Sequence, residues 1–238
     1  MSATIVLPTA PTPPSAINPK LMLLYGPPKV GKTTLVSKLD NCLVIDCEDG
    51  ADYVSSMRIK ASSVEDLRAI CKAIREAKSP YKYVAVDTIT RVEEWCEPYA
   101  TKCYKNSVIG KSFTGTTVLD LPNGAGYGQL RNAFNEVMMM LHNIAPHVIL
   151  IGHLREKFLG GKDAKADSLV SSKDLDLTGK LKQIACSRSD AIGYVFRNHE
   201  DNSNLWLSFE SNEQINCGSR CPHLRGKRVK ADWSEIYK

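Results

Sequence analysis

The stretch that most constrains this chain is LMLLYGPPKVGKTTLVSKL, residues 21 to 39. It is an apolar run, a turn bounded by Gly26 and Gly31, and then a helical pattern from Lys32. Gly26-x-x-x-x-Gly31-Lys32-Thr33 satisfies the P-loop pattern in the context the pattern requires, after a strand and before a helix. Glycines let the backbone wrap an anion so that amide groups at a helix start point at it. The loop Gly26, Pro27, Pro28, Lys29, Val30 and Gly31, with Lys32, Thr33 and Thr34 after it, is therefore expected to hold the phosphates of a nucleoside triphosphate. Lys32 would bridge the terminal phosphates, and the Thr33 hydroxyl would ligate magnesium.

Two later acids extend that site. The run YKYVAVDT ends in Asp87, where a carboxylate is expected to support the magnesium ion. In LVIDCEDGADYV, Asp46 and Glu48 fall at the end of the strand following the P-loop helix, where the carboxyl ends of a parallel sheet form the ligand crevice. A carboxylate there can orient and deprotonate an attacking water. Asp49 and Asp52 read instead as solvated turn residues.

The surrounding pattern alternates strand and helix, as in a parallel sheet with crossover helices. Strands are expected at Leu21 to Tyr25, Cys42 to Asp46, Tyr83 to Asp87 and Val148 to Gly152. Helices are expected over Lys32 to Leu39, over Val64 to Ala77 behind a Ser63 cap, and over Tyr127 to Ile144. The methionines at 138 to 140 read as core filler. Two long connections, Asn106 to Gly126 and Arg155 to Asp176, have the length of functional or disordered loops. SDAIGYVFRN and NLWLSFES flank HEDNS and read as a closing antiparallel hairpin.

At 238 residues and 43% hydrophobic, the chain suits one domain of 20–216, with a Pro-rich flexible arm over 1–19 and a basic C-terminal tail over 217–238 packed on or beside it. Eight cysteines without a CxxC framework indicate a reducing compartment, and no apolar stretch is long enough to span a bilayer, so a cytoplasmic protein without membrane attachment is expected. Cys217, Cys221 and His223 invite a zinc reading but lack a second ligand pair. The net charge of +5 permits a polyanionic partner without arguing for one.

In their order, GPPKVGKT, VIDCEDGAD, VAVDTIT and VILIGHLREK resemble the RecA-like P-loop ATPase core. The resemblance is closest to compact phage and prophage RecA-core proteins of single-strand annealing recombination, and it covers residues 20 to 210. It implies an α/β fold with a mainly parallel sheet, flanking helices and a C-terminal antiparallel hairpin, and the cofactors ATP and Mg2+. It also assigns the general base to Glu48 and the terminal-phosphate sensor to His153, where RecA carries glutamine.

The resemblance further implies single-stranded DNA as partner, self-assembly into rings or filaments, and contact with a single-strand-binding protein. In such proteins the loop after the sensor binds DNA, which points to Arg155, Lys157, Phe158, Lys162 and Lys165. The earlier connection, with Lys111 and Phe113, occupies roughly the place of the other DNA loop. Basic groups and an aromatic ring suit a single strand. The basic tail admits three readings: Arg220 or Lys227 completing a neighbour's catalytic site, nucleic-acid binding, or a solvated edge. The arm is open between docking on a neighbour and plain disorder. Two other functions stay open, a small-molecule phosphotransferase resembling a nucleotide kinase, and an ATP switch such as a helicase loader or packaging factor.

Overall fold

In the computed structural model the described residues are Leu7, 9–158, 170–198 and 204–238. The elements follow in chain order as β1 (Leu21–Gly26), α1 (Lys32–Val36), β2 (Cys42–Asp46), β3 (Met57–Lys60), α2 (Val64–Glu76), β4 (Tyr83–Asp87), α3 (Ile89–Asn106) and α4 (Ala125–His142). They continue with β5 (His147–Phe158), β6 (Val170–Leu175), α5 (Gly179–Arg188), β7 (Ala191–Arg197), β8 (Leu205–Ser208), β9 (Gly218–Ser219), β10 (Arg228–Lys230) and α6 (Trp233–Ile236). Among the described residues the sheet runs β10-β8-β7-β1-β5-β4-β2-β3, with β6 on β5 and β9 on β7. From β7 to β3 every pairing is parallel, while the pairings of β8, β9, β10 and β6 are antiparallel. The α/β class and the antiparallel C-terminal strands are as the sequence indicated.

β1, β2 and β4 are buried at every position, because helices cover both faces of a parallel sheet and each strand must be apolar on both sides. Alternate side chains divide between two cores. Leu21, Leu23 and Tyr25 join the one built with α2 to α5, while Met22 and Leu24 join the one built with α1 and α6. α2 starts as expected, with Ser63 Oγ accepting from the Asp66 amide at 3.1 Å. Of the three methionines, Met138 is fully buried but Met139 is 58% exposed, so only part of that run is core filler.

Several elements differ from the sequence expectations. α3 has no counterpart among the expected helices, because its interior Pro98 and three glutamates obscure the buried series Ile89, Val92, Cys96 and Ala100. β3 and α5 are likewise additions, and β3 is exposed along its length. The connection 106–126 is not an open loop. Val118 is fully buried and its amide bonds Thr101 Oγ1 at 3.0 Å, so a 3-10 turn over Val118–Asp120 docks on α3, and a second over Pro122–Gly124 leads into α4.

The second long connection also differs. β5 runs on through Arg155 to Phe158 and pairs antiparallel with β6, so the chain after His153 leaves as a hairpin.

The C-terminal residues enter the fold directly. β9 and β10 join the sheet, and Trp233 Nε1 donates to the Leu35 carbonyl at 2.7 Å, satisfying an end group of α1. Asn18 exchanges two 2.8 Å bonds with Lys238, which ties the end of the arm to the chain terminus. Phe134 on α4 is wholly buried in the larger core. Phe134→Ala is expected to lower the unfolding free energy by about 3 to 5 kcal/mol, read from denaturant midpoints.

Candidate nucleotide site

The P-loop leaves β1 at its carboxyl end, and register brings the other strands level with it. Gly26 stands opposite His153, and Asp46 opposite Asp87. Gly26 has no room for a side chain, since a Cβ would collide with the Val195 carbonyl on β7. Gly31 adopts φ 114°, a left-handed backbone that L side chains rarely adopt. The first turn of α1 has no side-chain cap, leaving its amides available to an anion. These features shape a pocket of about 380 Å³ whose walls include Lys32, Thr33, Glu48, Asp87, Thr88 and His153.

Lys32 is 7% exposed, and its ammonium donates to the carbonyls of Gly26 and Pro27 at 2.8 Å each. Burial lowers its pKa, while Asp87 and Glu48 pull it back. Thr33 Oγ1 donates to Asp87 Oδ2 at 2.6 Å, uniting the two expected magnesium residues in one contact. Burial raises the Asp87 pKa against that bond. A hydroxyl and a carboxylate are the hard oxygen donors that Mg2+ takes, so the residues present fit the ion.

Glu48 and His153 are in direct contact. His153 Nε2 lies 3.0 and 3.1 Å from the two Glu48 carboxylate oxygens, and Thr88 Oγ1 donates to Glu48 Oε1 at 2.7 Å. The imidazole bond holds the Glu48 pKa below its ordinary value, and the same bond raises that of His153. Asp46 has a different task. It is 2% exposed and accepts the amides of Glu48 and Ala51 at 3.1 Å, turning the chain so that Glu48 faces the pocket. Asp49 and Asp52 are surface residues that form ion pairs across to β3, at 2.6 Å to Lys60 and 2.9 Å to Arg58.

His153 is also the root of the hairpin. Its amide bonds Thr90 Oγ1 at 3.1 Å, and its carbonyl accepts the Asp176 amide at 2.9 Å. Sequence reasoning assigns no role to Thr88 or Thr90; the signal available for them is the pair of threonines directly after the strand-ending Asp87.

The other expected residues lie apart. Arg155 pairs with Asp176 at 2.7 Å, Lys157 lies on β5, and Phe158 ends it. Lys162 and Lys165 lie outside the described residues. Lys111 is exposed, but the Phe113 ring meets Tyr104 edge-on at 5.4 Å and Lys105 lies over it, so the aromatic is spent on packing. Arg220 bonds Asp190 and the Ser187 carbonyl. Asp190 also caps the amide of Leu21 at the start of β1, so Arg220 is one strand length, about 20 Å, from its own P-loop.

Cys217 belongs to one core and Cys221 to the other, on opposite faces of the sheet, and His223 bonds the Ile236 carbonyl. Among the described residues no three His, Cys, Asp or Glu side chains gather as metal ligands, and no helix is long and apolar enough to cross a membrane.

Residues 18–221 match the protein family described as an AAA domain. A comparison with curated proteins found no match. Among solved structures, the chain is similar to one titled "Crystal structure of the RadB recombinase", with a TM-score of 0.44 and 13% identity over 90% of this chain and 87% of that one.

The Glu48–His153 pair sets a pH dependence. A raised histidine contributes stability below its ordinary 6.5 that is lost as pH rises through the raised value. A depressed glutamate contributes above its ordinary 4.5 and is lost as pH falls. The stability difference between wild type and His153→Gln should therefore peak between those two values and shrink on either side, measured by urea denaturation across pH. By NMR, the His153 pKa should fall in Glu48→Gln.

Proposed function

Because this chain belongs to the AAA domain family of P-loop ATPases, we propose that it binds and hydrolyses ATP and couples the state of the terminal phosphate to single-stranded DNA, as a recombination-type ATPase. The observation that carries this reading is the direct Glu48–His153 contact beside Lys32 and the Thr33–Asp87 pair, at the root of the β5–β6 hairpin.

Lys32 carries charge on the terminal phosphates, exchanging its two loop carbonyls for phosphate oxygens. Thr33 and Asp87 would hold magnesium, which would add to the neutralisation of the phosphate charge. Glu48 takes a proton from the water whose oxygen attacks the γ-phosphorus as the bond to ADP breaks. Thr88 fixes the direction of that carboxylate. His153 answers to two acceptors, Glu48 and the γ-phosphate. A change of partner moves the residue whose amide and carbonyl anchor the hairpin carrying Arg155 and Lys157, which reports the nucleotide state to DNA. Arg220 lies at the far end of its own sheet, so a catalytic role for it would be at the site of a neighbouring subunit in a ring or filament.

ATP turnover measured with and without oligo(dT) tests the reading. Stimulation by the oligonucleotide is expected, with turnover abolished in Lys32→Ala and lowered about 10²- to 10⁴-fold in Glu48→Gln. Phosphate transfer to a small acceptor without DNA binding would instead identify a phosphotransferase, and nucleotide binding without turnover a switch. If Arg220 acts in trans, specific activity rises with protein concentration and Arg220→Ala removes the rise. A specific activity independent of concentration would sink that role.

A further inference from the structure

On the antiparallel side of the sheet, pairing fixes which side chains share a face. Tyr194 is opposite Ser208, and Ser208 opposite Arg228. Two residues along, Phe196 is opposite Trp206, and Trp206 opposite Lys230. Cross-strand partners and i, i+2 neighbours point to the same side, so all six stand on one face of β7, β8 and β10. Phe196 and Trp206 are half-buried there, while Arg228 and Lys230 are exposed.

A cavity of about 230 Å³ opens on this face, lined by Tyr194, Phe196 and Ser208, with Lys173, Ile215 and Arg228 around them. The rings of Tyr194 and Phe196 are nearly parallel, at 7° and 5.7 Å between centroids. Lys173 Nζ lies 5.7 Å from the Tyr194 centroid. The cations are held by exchangeable surface partners, Arg228 by Glu210 at 2.8 Å and Lys173 by Glu156 at 3.8 Å. Such exposed pairs are weak and give way to a phosphate at little cost.

We propose that this groove is a single-stranded nucleic-acid site, with a base stacked against Phe196 and Trp206 and the backbone phosphates met by Lys173, Arg228 and Lys230. The proposal rests on the DNA-coupled reading above and adds a contact surface beyond Arg155 and Lys157 on β5. Flat rings interleaved with basic groups match a strand whose bases offer π faces and whose backbone is anionic. An acidic peptide would answer the charge but leave the rings without a planar partner.

The groove is also joined to the nucleotide site. Tyr25, the residue before Gly26, packs on Tyr194 with centroids 5.6 Å apart, and its hydroxyl donates to the Asn216 carbonyl at 2.9 Å. Lys173 lies on β6, the return strand of the hairpin rooted at His153. A strand in the groove therefore touches Tyr194, which packs on the residue before the P-loop, and the return strand of the hairpin rooted at His153.

The 238-residue chain, with Mg2+ and ATP at low salt, is titrated with oligo(dT) and followed by tryptophan emission and by anisotropy of a labelled oligonucleotide. Binding is expected to quench Trp206, a change absent in Trp206→Phe. Phe196→Leu, and Arg228→Gln combined with Lys230→Gln, should each weaken binding about tenfold, with thermal midpoint and nucleotide affinity unchanged. If wild type binds oligo(dT) but Trp206 emission does not respond, or if the groove variants bind like wild type, the groove is overturned and the DNA-coupled reading stands. If wild type does not bind oligo(dT) at all, both fall.

Discussion

The parallel ladder that sets Gly26 opposite His153 is the constraint on which the rest depends. β1 is hydrogen-bonded on both sides, by β5 and β7, and is buried along its whole length. It therefore cannot slip by one residue without sending Leu21, Leu23 and Tyr25 to the wrong core. With that register fixed, the P-loop, Asp87 and the root of the hairpin emerge level with one another at the carboxyl edge.

The pocket balances charge within a small volume. Lys32 faces Asp87 and Glu48, Thr33 bonds Asp87, and His153 with Thr88 engages Glu48. Burial opposes every one of these charges, which is why the Lys32 pKa falls and that of Asp87 rises. A buried cation beside carboxylates is satisfied only while each group keeps a partner. Under the proposed function an incoming phosphate exchanges with those partners and competes for Lys32 and His153 together. In the proposed scheme that competition is the signal. The proposed groove would receive it through Tyr25, and the hairpin through the backbone bonds of His153.

Much of the parallel half of the fold was readable one segment at a time. β2, β4 and the start of α2 carry their own signals, an apolar run or a capped helical period, and they form within a residue of expectation. α3 was not readable, because Pro98 and its glutamates weaken the local pattern and it is packing against α4 that holds it. The hairpin after His153 was hidden for a related reason. Polar strands such as REKF and SSKDL are stabilised by pairing with each other, and neither predicts that alone.

The sequence by itself determined the P-loop motif with its lysine and threonine, the strand-ending Asp87 and the acid at Glu48 as candidates, because the proposed chemistry needs particular residue types at short, fixed spacings. Tertiary structure decided which of them touch. Only the strand order, which inserts β5 between β1 and β4, puts His153 against Glu48 across 105 residues of chain. The same long-range packing carried Arg220 to the opposite end of the sheet and gathered Tyr194, Phe196, Trp206 and Lys230 on one face. Contacts of that kind are set by sheet register and by the two cores, physical quantities that belong to the folded chain as a whole and to no stretch of it.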